Sequence, residues 1–333
     1  MTNTKPCWET QASVQILSGA VILIAAEGFM FRATEPFASW FYPIAWWSYI
    51  LIVDGIIYRL QRNSLIINRR REFLVMIPWS VTFWLVFEMV NLRLENWHYV
   101  NVTCHLSLRW VGYFISYGTV LPGIFETTEL LECLGTYGDV KSRQRVISKF
   151  WFPISSVLGG LFLLLPLLVP RYCFPLVWIG FVFLFDPINY AHGAPSLLRD
   201  WENGSPRTLL LLLTAGLVCG ALWEFWNHWA KSKWIYSVPF FDEMKLFQMP
   251  PAGYLGFPPF AVECYVMYNF LSLFRYHRLW DKSHYFQGAG KKLSPQVVIL
   301  AVIITVSFYA LAFSAIDRYT VVPSFSPSSQ DIP

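Results

Sequence analysis

The stretch WEFWNHWAKSKWIYSVPFFDEMKLFQMPPAGYLGFPPFAVE, Trp223 to Glu263, sets Glu224, Asn227 and Glu263 into sequence that is otherwise apolar and aromatic. A second copy of its pattern lies between residues 87 and 126. Glu88 and Asn91 repeat the Glu-x-x-Asn of Glu224 and Asn227, and Trp97 and Tyr99 repeat the Trp-x-Tyr of Trp234 and Tyr236. Pro122 and Glu126 repeat the Pro-x-x-x-Glu of Pro259 and Glu263, and in both copies the Tyr and this last Glu stand 27 positions apart. Upstream, PIAWWSYILIVDGIIY (43–58) aligns without a gap on PLVWIGFVFLFDPINY (175–190), matching Asp54 to Asp186 and Tyr58 to Tyr190. The offset drifts only from 132 through 136 to 137 while the order of elements is kept, which is the signature of an internal duplication.

The composition sets the solvent in which these copies fold. With 55% hydrophobic and 14% charged residues and a mean hydropathy of +0.43, the chain is far from the ~25% charge of soluble domains. Apolar runs near the roughly 20 residues that span a bilayer fall at 14–31, 39–58, 73–92, 110–131, 150–169, 173–191, 208–229, 256–274 and 295–316. The expected fold is therefore an all-α polytopic membrane protein of about nine transmembrane helices, two tandem four-helix repeats plus one C-terminal helix. The runs at 110–131 and 256–274 stand apart, short of Leu and rich in Gly, Pro and polar residues. The expected organisation is a first repeat over 1–135, a basic linker over 136–149, a second repeat over 150–275, a loop and last helix over 276–318, and a disordered tail over 319–333.

Lys and Arg in the loops give the orientation. With the N-terminus in the cytoplasm, 17 of the 25 basic residues face inward, led by clusters at 59–71, 141–149 and 275–292. The net charge of +4 is then a topology signal, and no nucleic-acid partner is expected. The compartment implied is a membrane such as the bacterial inner membrane, with membrane lipids as partners. The basic loop RLQRNSLIINRRRE reads as a stop-transfer anchor touching anionic lipid, and Trp97, Tyr99 and Trp110 as an interfacial belt. Six scattered cysteines without a CxxC, and six histidines without an HxxxH, give no metal or cofactor site. Cys104 and Cys173 fall on the same outer side, where they could pair.

Six repeat-matched carboxylates remain: Asp54, Glu88, Glu126, Asp186, Glu224 and Glu263. A charge at a helix centre costs about 2.5–3.5 kcal/mol on the insertion scale, so these side chains should face the bundle interior. Asn91 and Asn227 are placed to donate amide hydrogen bonds to them. Glu126 and Glu263, each following a proline, are the acid/base candidates, with Glu88 and Glu224 beside them. Asp54, Asp186, Asn91, Asn227, Trp97, Tyr99, Trp234 and Tyr236 complete a ligand-binding set. Aromatic residues make up 18% of the chain, and their faces stabilise cations.

Asp186, KWIY (Lys233 to Tyr236) and PPFAVECYVMYNF (Pro258 to Phe270), with LPGIFETTELLE (Leu121 to Glu132) in the first half, resemble the small polytopic lycopene cyclases. That family has two related multi-helix domains and uses acidic residues on a carotenoid end group. The chain departs from its pattern in placing Glu four residues after Pro, and in its nine expected helices. The resemblance implies a membrane enzyme, an isoprenoid or lipid cyclase or isomerase, acting by acid/base chemistry on a hydrophobic small molecule. The same paired carboxylates also fit a proton- or cation-coupled transporter built on parallel repeats. A third reading has them only tying helices together, at about 0.6 kcal/mol for each interhelical hydrogen bond.

Overall fold

Long apolar runs have to satisfy their backbone internally, and in this chain they do so as helices. The computed structural model describes residues 5–239, 244–275, 280 and 294–322. In chain order these form α1 (Lys5–Phe31), α2 (Phe37–Gln61), α3 (Arg70–Leu94), β1 (Trp97–Val100), α4 (Leu106–Tyr117), α5 (Val120–Cys133) and α6 (Trp151–Leu168). There follow α7 (Pro170–Cys173), α8 (Val177–Ala191), α9 (Leu197–Glu202), α10 (Arg207–Trp229), β2 (Lys233–Tyr236), α11 (Phe257–Ser272) and α12 (Pro295–Tyr319). Among the described residues seven segments are long and apolar enough to cross a membrane: α1, α2, α3, α6, α7 with α8, α10 and α12. The chain is a multi-pass helical membrane protein. The expected tail from 323 onward, Phe240 and Phe241 of the aromatic outer loop, and nearly all of the basic loop 276–293 lie outside the described residues.

The two atypical runs differ from the single long helices expected. The run at 110–131 is divided into α4 and α5 at Gly118 and Thr119. Ser80 of α3 holds this break, its Oγ donating to the Tyr117 carbonyl (2.6 Å) and accepting from the Leu121 amide (3.0 Å). The run at 256–274 becomes the 16-residue α11, about 24 Å long at 1.5 Å per residue. Residues 120–129 of α5 and 260–269 of α11 are buried without interruption. Their composition now has a cause, because a helix enclosed on all sides meets protein, and small and polar residues pack there where lipid would select Leu.

Contacts between helix ends define two sides. On one lie the Arg62–Glu9 pair (2.5 Å), the Arg275–Glu72 pair (2.6 Å) and Arg207 donating to the Glu132 carbonyl (3.1 Å). They gather the starts of α1, α3 and α10 with the ends of α2, α5 and α11. On the other side β1 and β2 meet, Lys231 pairs with Glu35 (2.6 Å), and Arg109 of α4 pairs with Asp317 of α12 (3.1 Å). Two hairpins pack through close backbone approach. A Cβ at Gly19 would stand 2.8 Å from the Ser48 carbonyl across α1 and α2, and one at Gly159 would stand 2.4 Å from the Leu184 amide across α6 and α8.

One expectation for the basic loop is corrected. Arg69 does not reach lipid headgroups; it is buried, and its Nη2 grips both oxygens of Glu129 at 2.7 and 2.8 Å. Gln61 also donates to Glu129, and Arg69 donates to the Trp280 carbonyl, each at 2.5 Å. A carboxylate left without its cation here is an uncompensated buried charge. Arg69→Ala should therefore cost about 3–5 kcal/mol of stability, whereas Arg69→Met with Glu129→Leu should recover most of it. Denaturant or thermal unfolding of the purified protein in detergent measures both.

Candidate functional site

At the second side the two Trp-x-Tyr segments pair with each other. β1 and β2 run antiparallel with Trp97 opposite Tyr236, His98 opposite Ile235, Tyr99 opposite Trp234 and Val100 opposite Lys233. Two asparagines fix this ribbon to its helices. Asn91 accepts from the amides of Asn96 (2.9 Å) and Trp97 (3.3 Å) and donates to the Trp97 carbonyl (2.9 Å). Asn227 accepts from the Trp234 amide (3.0 Å) and donates to the Trp234 carbonyl (2.9 Å). The expected bonds from these amides to the carboxylates are replaced by backbone bonds, because a side-chain amide matches the donor and acceptor of an unpaired strand edge. Trp97 and Tyr99, expected in an interfacial belt, are instead buried within the protein.

Behind each strand lies a glutamate. Glu88 Oε1 accepts from the Trp84 indole (2.8 Å), the Trp97 indole (3.1 Å) and the Tyr99 hydroxyl (2.5 Å), and Tyr117 donates in turn to the Tyr99 oxygen (3.1 Å). Glu224 is likewise buried, with Tyr236 and Trp234 beside it. Between the two lies a cavity of about 190 Å³ lined by residues of α2, α3, α4, α10, α11 and the ribbon. Trp97, Tyr99, Trp234 and Tyr236 line it, with Tyr42, Trp84, Trp178, Trp223 and Phe260 among the other rings. Two cations reach its wall: Arg109, paired with Asp317, and Lys233, whose Nζ donates to the His228 carbonyl (2.5 Å). Burial holds the Lys233 ammonium below its ordinary range.

The remaining sequence-derived residues stand elsewhere. Asp54 accepts from the Ile66 amide (2.7 Å), the Ser64 hydroxyl (3.0 Å) and Gln15 (3.3 Å). Asp186 accepts from the Leu197 and Leu198 amides, both at 2.9 Å. Each aspartate thus ties down the loop that follows its own helix, at the side opposite the ribbon, and neither lines the cavity. Glu126 sits buried beside Asp54 and Glu129, and Glu263 accepts from the Phe181 amide (2.9 Å) through one oxygen only. Neither of these glutamates lines the cavity. The four glutamates therefore do not converge: Glu88 and Glu224 stand one side chain behind the cavity wall, and Glu126 and Glu263 stand apart from it.

Sequence reasoning passed over Tyr113 and Tyr117, four apart on α4, and Arg109 one turn earlier. Their i, i+4 spacing was visible, but it reads equally well as a lipid-facing aromatic stripe. Among the described residues no group of three His, Cys, Asp or Glu side chains is placed to hold a metal, and Cys104 and Cys173 are both free. No protein-family model, curated protein or solved structure matches this chain.

The ribbon depends on its two amide clamps, so removing one leaves buried backbone groups without partners, at about 1–3 kcal/mol each. Asn91→Ala should speed hydrogen exchange at the Trp97 amide, and Asn227→Ala should do so at the Trp234 amide. Amide exchange read by mass spectrometry, with peptides from α1 and α6 as unaffected controls, checks this.

Proposed function

We propose that the protein is a membrane-embedded enzyme that performs acid/base chemistry on an isoprenoid or other lipid held in the aromatic cavity. The observation that carries this reading is the pairing of a mainly apolar, ring-lined cavity with a buried carboxyl group wired to its wall, Glu88 through Tyr99 and Tyr117. Protons can be exchanged along hydroxyl groups already in hydrogen-bond contact, while ring faces shield positive charge that develops on a hydrocarbon. Glu88 and Glu224 are better placed for this work than Glu126 and Glu263. A carotenoid-cyclase-like reaction fits these requirements.

The proposal includes the architecture. Two tandem four-helix repeats account for the equal tasks of Asp54 and Asp186 as loop anchors, and of Asn91 and Asn227 as ribbon clamps. They also account for a ribbon in which Trp97 faces Tyr236 while Trp234 faces Tyr99, the reciprocal pairing of a two-fold relation. In this scheme α4 with α5, and α11, complete nine crossings, and the N-terminus is cytoplasmic. A transporter reading draws on a different observation, the buried grouping of Glu126 with Asp54 and Glu129 at the side opposite the cavity.

Two measurements test the proposal. Glu88→Gln keeps the side-chain size and its capacity for hydrogen bonds, so at normal membrane abundance it should leave an unconverted lipid that the wild type consumes. A lipid and pigment profile identical with and without the gene would sink the enzyme reading. Proton-driven uptake into vesicles that is lost in Glu126→Gln would favour transport instead. For topology, cysteines introduced at exposed positions within 62–70 and 141–146 should react only from the cytoplasmic face; labelling from outside would overturn the orientation.

A further inference from the structure

Two hydrogen-bond networks on α4 have their directions fixed by groups that can only donate. An indole N–H has no acceptor capacity, so the Trp84 and Trp97 bonds make Glu88 Oε1 an acceptor. Tyr99, 2.5 Å from that same oxygen, therefore donates to it, and Tyr117 spends its single hydrogen on Tyr99. The second network repeats this logic. Asp317 Oδ2 accepts from the Trp110 indole (2.8 Å), and its Oδ1 meets the Arg109 guanidinium (3.1 Å), which is permanently charged. Asp317 is thus an acceptor as well, and Tyr113 gives its hydrogen to Oδ1 at 2.9 Å.

Both phenols line the cavity, and their rings stack in parallel, 5.7 Å apart with 1° between planes. Each hydrogen is already committed, to Asp317 and to Tyr99, and among the described residues no hydrogen bond is donated to either oxygen. At Tyr113 and Tyr117 the wall therefore offers two neighbouring lone-pair sites and no hydroxyl hydrogen. A ligand answering them must bring a donor. A cationic donor is disfavoured because Arg109 and Lys233 line the same cavity. An anionic group gains nothing from the phenols, which present only lone pairs, and Arg109 already has its counter-charge in Asp317. An uncharged hydroxyl on an apolar body meets all these conditions.

We propose that Tyr113 and Tyr117 form an accepting subsite for the hydroxyl end of a long-chain lipid alcohol, the chain lying against the rings of the cavity. This rests on the reading of the cavity as a lipid site. It adds the chemical class of the ligand and the end by which it is recognised.

The test compares geranylgeraniol with its methyl ether, which has the same chain and no donor, on the full-length protein in lipid nanodiscs. Binding is followed by quenching of tryptophan emission. The wild type should bind the alcohol about tenfold more tightly, the scale of one hydrogen bond. In the Tyr113→Phe, Tyr117→Phe double variant the alcohol should weaken to the level of the ether while the ether binds as before, which also certifies the cavity. Should the double variant misfold, Tyr117→Phe alone must lower the alcohol's advantage at least about threefold, or roughly half of that hydrogen bond on a logarithmic scale. Equal binding of the two probes to the wild type, binding of neither, or an advantage surviving the substitutions overturns the subsite. Lipid profiling of Glu88→Gln is read separately. Selective binding with an unchanged profile removes the enzyme and keeps the subsite, and conversion without selectivity does the reverse.

Discussion

The structure depends on how two four-residue strands find partners at the edge of an apolar bundle. Backbone N–H and C=O groups that water cannot reach must be paired, and an isolated strand has nothing to pair with. Here each Trp-x-Tyr segment takes the other as partner on one edge, and asparagines from the helices supply further donors and acceptors. Once the backbone is satisfied, the aromatic side chains of the ribbon can be turned inward. The cavity is the result. Its ceiling is the ribbon, and its walls are the helices to which the asparagines tie it.

The carboxylates are sorted by what surrounds them. The two aspartates are met by backbone amides and small donors, and act as anchors for adjoining loops. Glu129 is met by a guanidinium and acts as the hub of a buried ion pair. Glu88 is met by two indoles, which can only donate, and by a phenol, which can accept as well as donate. Identical functional groups thus have different capacities, set by neighbours that may be close in sequence or far from it.

That distinction also decides how much could be read in advance. The apolar helices follow from run lengths, a local property, and Glu88, Asn91, Trp97 and Tyr99 were linked through their spacing to Glu224, Asn227, Trp234 and Tyr236. Pairing of β1 with β2 was not legible, because it joins positions more than a hundred residues apart and no periodicity encodes the choice of partner. The pair of Arg69 with Glu129 was hidden for the same reason: an arginine in a basic loop looks like a topology signal until the fold brings a buried carboxylate to it. Unusual composition in α5 and α11 was visible, but its cause, enclosure by other helices, belongs to tertiary packing. At the offset of 137 Tyr117 falls on Tyr254 but Tyr113 falls on Pro250, so the tyrosine pair as such is not repeated and comparing the copies did not single it out.

The residues after α12 also join the ribbon. The Tyr99 amide donates to the Thr320 carbonyl and the Val322 amide donates to the Tyr99 carbonyl, both at 2.9 Å, so that β1 is flanked on its second edge by a segment from the far end of the fold. Ribosomes deliver chains from the N-terminus, and β1 therefore leaves the translocon long before either of its neighbours exists. Through most of synthesis it must wait with an open edge beside the membrane surface. The cavity is consequently a late product of biogenesis, closed only after α12 has been inserted.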